Sequence, residues 1–257
     1  MLNAIKAAFR EQWKSTALDL ASWSMLFETL PTAAVLAWLA MQSKTPSVLT
    51  YMLVGIPLMA MCNGLLFKVG WSLNNELWGR TLDFALISRT PLTVILLGKS
   101  LAQLVFRLPQ GAIALIAMFI ITHQIPHVAS LPLLLLSLIF IFIGLIALSL
   151  FLAPFMVIVG GKAGFFNAIM PLAVVLSGFM FPIDRLPLVL EIIAKFIPTS
   201  WAMSCIWQAI NGPDSAWSFI SAILACLLTS GLLLVITYYM CKIVEKKLRI
   251  TGELATY

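Results

Sequence analysis

The sequence predicts an all-α, polytopic membrane protein with six transmembrane helices. Of its 257 residues, 61% are hydrophobic and only 10% are charged, whereas a soluble domain carries about 25% charged residues. Several runs with few or no charged residues reach the length of about 20 residues that a spanning helix needs. Soluble enzymes, nucleic-acid-binding proteins and disordered chains are therefore poor fits, and residues 1–257 are expected to form a single transmembrane domain.

The first expected element is an amphipathic helix within residues 1–22. Its apolar residues recur at helical spacing, and its basic residues form a stripe at i, i+4 and i+8. The apolar positions are Leu2, Ile5, Phe9 and Trp13, and the basic positions are Lys6, Arg10 and Lys14. This pattern is typical of a helix that lies on the membrane surface, and a solvated N-terminal arm is the alternative. No long apolar stretch of a cleavable signal peptide is evident.

Six spans follow, each defined by a run with few or no charges. They cover roughly residues 24–42, 48–69, 99–121, 131–155, 164–181 and 216–241. Lys44 and Pro46 separate the first two runs, a polar stretch precedes the fourth span, and Gly160-Gly161 separates the fourth from the fifth. Because the number of spans is even, both termini are expected on the same side of the membrane.

The basic residues predict which side that is. Twelve Lys and Arg residues fall on the side of the termini, and three fall on the other side, namely Lys44, Arg185 and Lys195. Because cytoplasmic loops carry an excess of Lys and Arg, both termini are expected in the cytoplasm, with the chain in a bacterial inner membrane. The net charge of +6 is then explained by topology and requires no nucleic-acid partner.

Motifs that carry chemistry are scarce. His123 and His127 are four residues apart, but Pro126 lies between them, so a polar loop is expected rather than a metal site. Gly98-Lys99-Ser100 resembles the end of a phosphate-binding loop, but Thr93 stands where that loop needs a glycine. The chain is therefore not expected to bind a nucleotide or to act as an enzyme. The cysteines lack C-x-x-C spacing, which favours buried free thiols over a metal or redox site; they are Cys62, Cys205, Cys226 and Cys241.

Two charged residues fall within the predicted spans. Glu28 lies in the first span and Arg107 lies in the third. Because a lone charge is costly in hydrocarbon, Arg107 has three candidate roles: reaching the membrane interface, pairing with Glu28, or lining a polar cavity. A proton relay would need more titratable residues within the spans than these two.

The connection between spans two and three, residues 71–90, is too long for a tight turn. Glu76 and Arg80 are spaced i, i+4, a favourable pair on a helix, and Pro91 ends the element. An amphipathic helix at this position suits the docking of a soluble partner. The alternative is an interfacial helix that binds no partner.

This connection resembles the corresponding loop of ABC-2 type permeases, the membrane subunits of type V ABC exporters. That family typically shows an acidic residue, then Gly-Thr-Leu-Glu, then a proline, then Gly-Lys at the next span. The corresponding residues here are Glu76, Gly79, Thr81, Leu82, Asp83, Pro91, Gly98 and Lys99. The sequence departs from the family pattern by inserting Arg80 after Gly79 and by using Asp83 in place of Glu.

A second block resembles the family's S-G-x-x-F-P, L-P and N-P region. It comprises Ser177–Pro182, Leu186-Pro187 and Ile197-Pro198, with Ile197 in place of the frequent Asn. In the family this region forms short external helices that dip back into the outer leaflet. The resemblance implies the same arrangement for residues 182–214.

The resemblance also implies partners and a mechanism. Two permease copies, expected as a homodimer within the membrane lipids, would work with two ABC ATPase subunits that bind ATP and Mg²⁺. The ATPase would dock on a coupling helix that includes Glu76, Gly79, Arg80, Thr81, Leu82 and Asp83. Spans one, two and five would line the pathway. Its outer gate would be Phe179, Met180, Phe181 and Pro182, unless these residues only pack the dimer interface. The chain itself would bind no cofactor.

The expected cargo is an amphipathic, lipid-like, drug-like or glycan-linked molecule that leaves the cytoplasm or the inner leaflet. Two other functions stay open. An ion-coupled secondary transporter would need a titratable site within the membrane and, ideally, inverted repeats. A haem-maturation type ABC permease resembles the same superfamily.

Overall fold

The computed structural model describes residues 1–42, 46–79, 90–123, 128–161, 163–213 and 215–251. The basic residues Lys44, Arg89 and Lys162 and the loop residue His127 lie outside these ranges. The described ranges contain helices and no β-strand. The helices are α1 (Leu2–Leu18), α2 (Leu20–Met41), α3 (Pro46–Trp78), α4 (Leu92–Thr122), α5 (Leu131–Ile158), α6 (Ala163–Leu176), α7 (Leu188–Ala194), α8 (Pro198–Asn211) and α9 (Ala216–Thr251), with a 3-10 turn at Ile183–Arg185.

Four of the described helices, α3, α4, α5 and α9, are each long and apolar enough to cross a membrane. They correspond to the predicted spans two, three, four and six, and they confirm the all-α polytopic class. The predicted first span is α2, which meets the same test together with α1 across a bend of 79°. The predicted fifth span is α6, which has 14 residues and ends at Leu176, earlier than the expected residue 181.

Helix α3 lies at the centre of the bundle. Of the residues in its most apolar stretch 72% are buried, compared with 22% in the corresponding stretch of α9. Helix α3 contacts α2, α4, α5, α6 and α8. The predicted span ends near residue 69, but the helix continues without a break to Trp78. Gly70 lies within the continuous helix and leaves room for a neighbouring ring: a Cβ at Gly70 would lie 2.9 Å from Cε2 of Phe166.

Proline and glycine mark several of the boundaries. Helices α5 and α8 carry proline in their first turns, where the missing N–H group costs no intrahelical bond. At the end of α5, Gly160 and Gly161 adopt positive φ angles, and Gly161 donates its N–H to the carbonyl of Met156 at 2.8 Å. Left-handed glycines of this kind satisfy the last carbonyl groups of a helix.

Helix α1 packs across the beginning of α4, so the described residues do not form a solvated arm. Ala8 and Thr16 are buried in this contact, whereas the predicted basic stripe of Lys6, Arg10 and Lys14 is exposed. This is the arrangement expected of an amphipathic helix with one face on the protein and a charged face outward.

The α1 end of the bundle also holds the end of α3, the start of α4 and the C-terminal part of α9. Leu92, the first residue of α4, donates its N–H to Oε1 of Glu245 in α9 at 2.8 Å. A carboxylate at this place satisfies a helix N-terminus and complements its dipole. This is the α1 end of the bundle, and the other end, which holds α7 and α8, is the opposite end.

At the opposite end α7 and α8 are bent by 97° across a short break. The two helices fall within residues 182–214, where short external helices were expected. Several apolar side chains of α7 are exposed, namely Leu188, Val189, Ile192 and Ile193. The four cysteines are buried and free, as predicted.

Candidate functional site

A cavity of about 580 Å³ opens in the body of the bundle between α2, α3, α4 and α6. Helix α3 supplies one complete face, with lining residues at i, i+3, i+4, i+7, i+8 and i+11. These residues are Ile56, Met59, Ala60, Asn63, Gly64 and Phe67. The spacing is that of one helical stripe, and it extends for about 16 Å along the axis.

The other three helices complete the wall. From α2 come Glu28, Thr29, Thr32 and Ala33; from α4 come Gln110 and Ala114; from α6 come Asn167, Met170 and Pro171. The expected pathway runs along spans one, two and five, which are α2, α3 and α6. The cavity lies among these three spans, with α4 as an additional wall.

On α2, α4 and α6 the polar lining residues lie nearer the α1 end than the apolar ones do, whereas on α3 the apolar Phe67 lies nearer that end than Asn63. Glu28 comes before Ala33 on α2, which runs away from that end, and Asn63 follows Ile56 on α3, which runs toward it. Asn167 lies in the second turn of α6, and its side chain is exposed. The side of the cavity nearer the opposite end is formed by apolar residues, including Ile56, Met59, Ala60 and Ala114. The cavity is therefore amphipathic along the bundle axis.

Arg107 lies directly behind this wall and is fully buried. Its Nη1 donates a hydrogen bond of 3.1 Å to Oε1 of Gln110, one turn further along α4. Its side chain crosses α3 at Gly64, where a Cβ would lie 2.7 Å from Nε of Arg107. Gly64 is thus the position at which α3 leaves room for the guanidinium group.

Arg107 has its partners inside the bundle. Arg107 is held inside the protein, with Gln110 as a hydrogen-bond partner and the carboxylate of Asp19 as an electrostatic one. Glu28, in contrast, is exposed on the cavity wall. Arg107 therefore supports the cavity from behind, through Gly64 and Gln110.

A second group of charged and polar side chains lies at the α1 end. Lys99, in the third turn of α4, forms an ion pair with Glu76, in the last turn of α3. The i, i+4 spacing predicts a pair of Glu76 with Arg80 on one helix, but Arg80 lies outside the described residues. The observed partner comes from the next helix and joins α3 to α4.

Helix α1 is held at the same place by polar contacts. Lys68 of α3 forms an ion pair with Asp19, the residue between α1 and α2. Gln103 of α4 donates a hydrogen bond of 2.6 Å to Oγ1 of Thr16. Ser22 donates a further hydrogen bond of 2.8 Å to Asp19. These contacts connect the first four helices around a polar hollow of about 380 Å³.

Gly98 explains how closely α1 approaches α4. A Cβ at this position would lie 2.6 Å from the carbonyl oxygen of Ile5 and 2.8 Å from Cβ of Ala8. The Gly98-Lys99-Ser100 run therefore lies on a helix and has structural partners. Gly98 contacts α1, Lys99 pairs with Glu76, and Ser100 accepts a hydrogen bond of 3.2 Å from Ser149.

The predicted docking segment is only partly described. Glu76 belongs to α3, and Gly79 follows the helix end with its N–H donating to the carbonyl of Asn75 at 2.9 Å. The other predicted docking residues lie outside the described residues; they are Arg80, Thr81, Leu82 and Asp83. The described part places the start of this segment at the α1 end, beside Lys99.

The predicted outer-gate residues lie at the opposite end, in the turn that follows α6. Phe179 is fully buried, whereas Met180, Phe181 and Pro182 are partly buried. Tyr51 of α3 donates a hydrogen bond to the carbonyl of Gly178, and Gly178 has a φ of +74°. None of these residues lines the 580 Å³ cavity.

Several residues of the site were missed by reading the sequence. Asn63 and Asn167 are exposed at the cavity, and Gln110 lines it beside Arg107. The available signal was polarity inside otherwise apolar spans, since amides are costly within hydrocarbon unless they find a polar partner. The Lys68–Asp19 pair could not be foreseen because its partners lie in different elements.

Comparison with known proteins agrees with this architecture. The sequence profile described as the ABC-2 family transporter protein matches residues 2–239, which is most of the chain. No curated protein sequence matches the chain. Because the family match covers every residue that lines the cavity and most of the described bundle, the chain belongs to the ABC-2 family of transporter proteins.

Proposed function

We propose that this chain is the permease subunit of an ATP-driven exporter, energised by a separate ABC ATPase. The observation that carries the proposal is the amphipathic cavity within the bundle of an ABC-2 family chain. Pockets of this size can bury most of a drug-sized ligand. The cargo would be an amphipathic, lipid-like, drug-like or glycan-linked molecule taken from the cytoplasm or the inner leaflet.

In this proposal the α1 end faces the cytoplasm of a bacterial inner membrane, with both termini on that side. Exposed basic residues at this end support the orientation, because cytoplasmic segments are enriched in Lys and Arg. They include Lys6, Arg10, Lys14, Lys246 and Lys247. The short helices α7 and α8 would then lie at the outer side, where Phe179–Pro182 would border the exit.

The ATPase would contact the segment from Gly79 to Asp83 and would hold ATP and Mg²⁺ itself. Glu76 supports this role as an anchor, because its ion pair with Lys99 fixes the end of α3 at the start of the segment. Two permeases, expected as identical copies, and two ATPases would form the working complex. Closure of the ATPase pair would then move the permeases as rigid bodies and open the path between them.

The experiment is co-purification followed by measurement of ATP hydrolysis. The tagged chain is extracted from native membranes, and a co-purifying protein with a nucleotide-binding motif is identified. The charge reversals Arg80→Glu and Asp83→Lys should weaken the retention of this ATPase by the permease. They should also abolish the stimulation of ATP hydrolysis by the permease. Arg185→Glu is the matched control, because Arg185 is exposed at the opposite end, and it should retain both. Full retention and stimulation in all three variants would contradict the docking assignment.

The alternatives give different results in the same preparation. An ion-coupled transporter would move its cargo in sealed vesicles with an ion gradient and without any ATPase. A haem-maturation type permease would still co-purify an ATPase, but haem would be the compound that changes its activity.

A further inference from the structure

Glu28 is the carboxylate that faces the cavity among the described residues lining it. Its side chain is exposed, and the other described lining residues are uncharged. The polar ones are hydroxyl or amide side chains: Thr29, Thr32, Asn63, Gln110 and Asn167. An ionisable residue within a predicted span is costly and is most readily explained by the function of the site.

The nearby positive charge does not enter the cavity. Arg107 is fully buried behind Gly64 and Gln110. Its guanidinium group is attracted electrostatically by the carboxylate of Asp19. A molecule in the cavity would therefore meet the carboxylate of Glu28 by direct contact. It would meet the guanidinium only through the wall, where the carboxylate of Asp19, which also pairs with Lys68, offsets part of the charge.

The rest of the lining determines the shape of a suitable ligand. Glu28, Asn63 and Asn167 provide hydrogen-bonding and charged groups toward the α1 end, whereas Ile56 and Ala114 provide apolar surface toward the opposite end. A ligand that satisfies both parts has a cationic or hydrogen-bonding head and an apolar body. Such a ligand would also supply the polar partners that amides at this depth require.

We infer that the cavity binds amphipathic cations and that Glu28 is the residue that selects their positive charge. This inference deepens the proposed function and rests on it, since it names the class of cargo that the exporter would take. A charge-assisted contact is stronger than a neutral hydrogen bond, and it strengthens as the ligand displaces water from the cavity. Glu28 therefore gives the site its preference for cations, and the apolar wall gives it affinity.

The test compares two ions of the same shape and opposite charge. The purified chain, without any ATPase, is placed in nanodiscs of phosphatidylcholine, and binding of labelled tetraphenylphosphonium and tetraphenylborate is measured against empty nanodiscs. The wild-type chain should bind the phosphonium cation in preference to the borate anion. Glu28→Gln should weaken phosphonium binding about tenfold, the effect of losing one charged contact, and should leave borate binding equal or stronger.

Three variants make the result specific. Glu191→Gln removes a carboxylate outside the cavity, in α7, and should leave the binding of both ions unchanged. Glu28→Asp keeps the charge and should retain most of the phosphonium affinity, which separates loss of charge from loss of fold. Ala60→Phe fills the apolar part of the cavity, so it should weaken the binding of both ions. Equal phosphonium affinity in the wild-type and Glu28→Gln chains would overturn the inference.

The outcome is independent of the docking experiment. If phosphonium binding depends on Glu28 but no ATPase co-purifies, the cation site stands and the export function fails. If an ATPase docks and is stimulated while Glu28→Gln binds phosphonium as the wild type does, the export function stands and the cation preference is overturned.

Discussion

Lys99 of α4 and Glu76 of α3 form an ion pair that is almost completely buried. The Lys99 side chain is 5% exposed and the Glu76 side chain is 16% exposed. The pair fixes the end of one long helix to the third turn of the next, on either side of the segment that we propose as the ATPase contact. The two helices therefore hold their relative position at the α1 end by charge as well as by apolar packing.

Breaking this pair should be costly. Glu76→Lys or Lys99→Glu leaves like charges together at a buried place, and we expect each to lower the free energy of unfolding by about 3 kcal/mol. The double variant, which exchanges the two charges, should recover most of the loss. Thermal unfolding followed by tryptophan fluorescence measures the effect. Glu191→Lys, in an exposed i, i+4 pair with Lys195, is the control and should leave Tm unchanged. A double variant no more stable than either single variant would argue against a direct pair.

Gly98→Ala should loosen the contact of α1 with α4. The added methyl group would lie within 2.6 Å of the Ile5 carbonyl oxygen, so α1 must shift outward. Proteolysis within the first 18 residues should become faster, and Tm should fall. Gly231→Ala is the matched control, because Gly231 lies within α9 and a Cβ there meets nothing within 4 Å. That substitution should be neutral or stabilising by up to about 1 kcal/mol, since alanine favours the helix. Equal effects of the two substitutions would show that the close approach is unimportant.

Tyr51→Phe should release the turn that follows α6. The substitution removes the hydroxyl group that donates to the carbonyl of Gly178 and leaves the edge-to-face contact with Trp207, at 5.1 Å between ring centroids. The expected loss of stability is about 1 kcal/mol, the net value of one buried hydrogen bond. Tyr239→Phe, at an exposed position of α9, should cost nothing. If both substitutions give the wild-type Tm, the hydroxyl contact does not stabilise the turn.

Arg107→Leu should damage the cavity wall. The substitution removes the guanidinium group that donates to Gln110 and packs across Gly64, so the lining on that side would lose its support. We expect a lower Tm and a loss of export, with Arg107→Lys giving an intermediate result because lysine keeps the charge but lacks the planar fork. Export is measured in vesicles that contain the ATPase. Wild-type stability and export in Arg107→Leu would rule out a supporting role.

Apolar runs were sufficient to predict α3, α4, α5 and α9, because length and composition decide whether a helix can span a membrane. The end of α3 was predicted too early. Gly70 looks like a break in the sequence, but it packs against Phe166, and the polar residues that follow it continue the helix to Trp78. Only the packing of the neighbouring helix shows why a glycine is needed at that position of a continuous helix.

The site was predicted less completely than the fold. The exceptional charges Glu28 and Arg107 were recognised because they interrupt apolar spans, but their separate positions, one on the cavity and one behind it, depend on the packing of four helices. In the same way, Glu76 was paired with the residue at i+4, since sequence spacing reports only contacts within one helix. Its observed partner is Lys99. The assignment of Arg80–Asp83 as an ATPase contact stays a prediction.

The uninterrupted course of α3 has a mechanical consequence. Asn63 on the cavity wall and Glu76 at the α1 end are carried by the same helix, about 20 Å apart along its axis, with no proline between them. A displacement or rotation of the segment beyond Glu76 would therefore move the α3 residues that line the cavity, because α3 would move as one rigid helix. The distances from Asn63 on α3 to Glu28 on α2 and to Asn167 on α6 would change at the same time. This coupling would need no chain of side-chain rearrangements between Glu76 and the cavity.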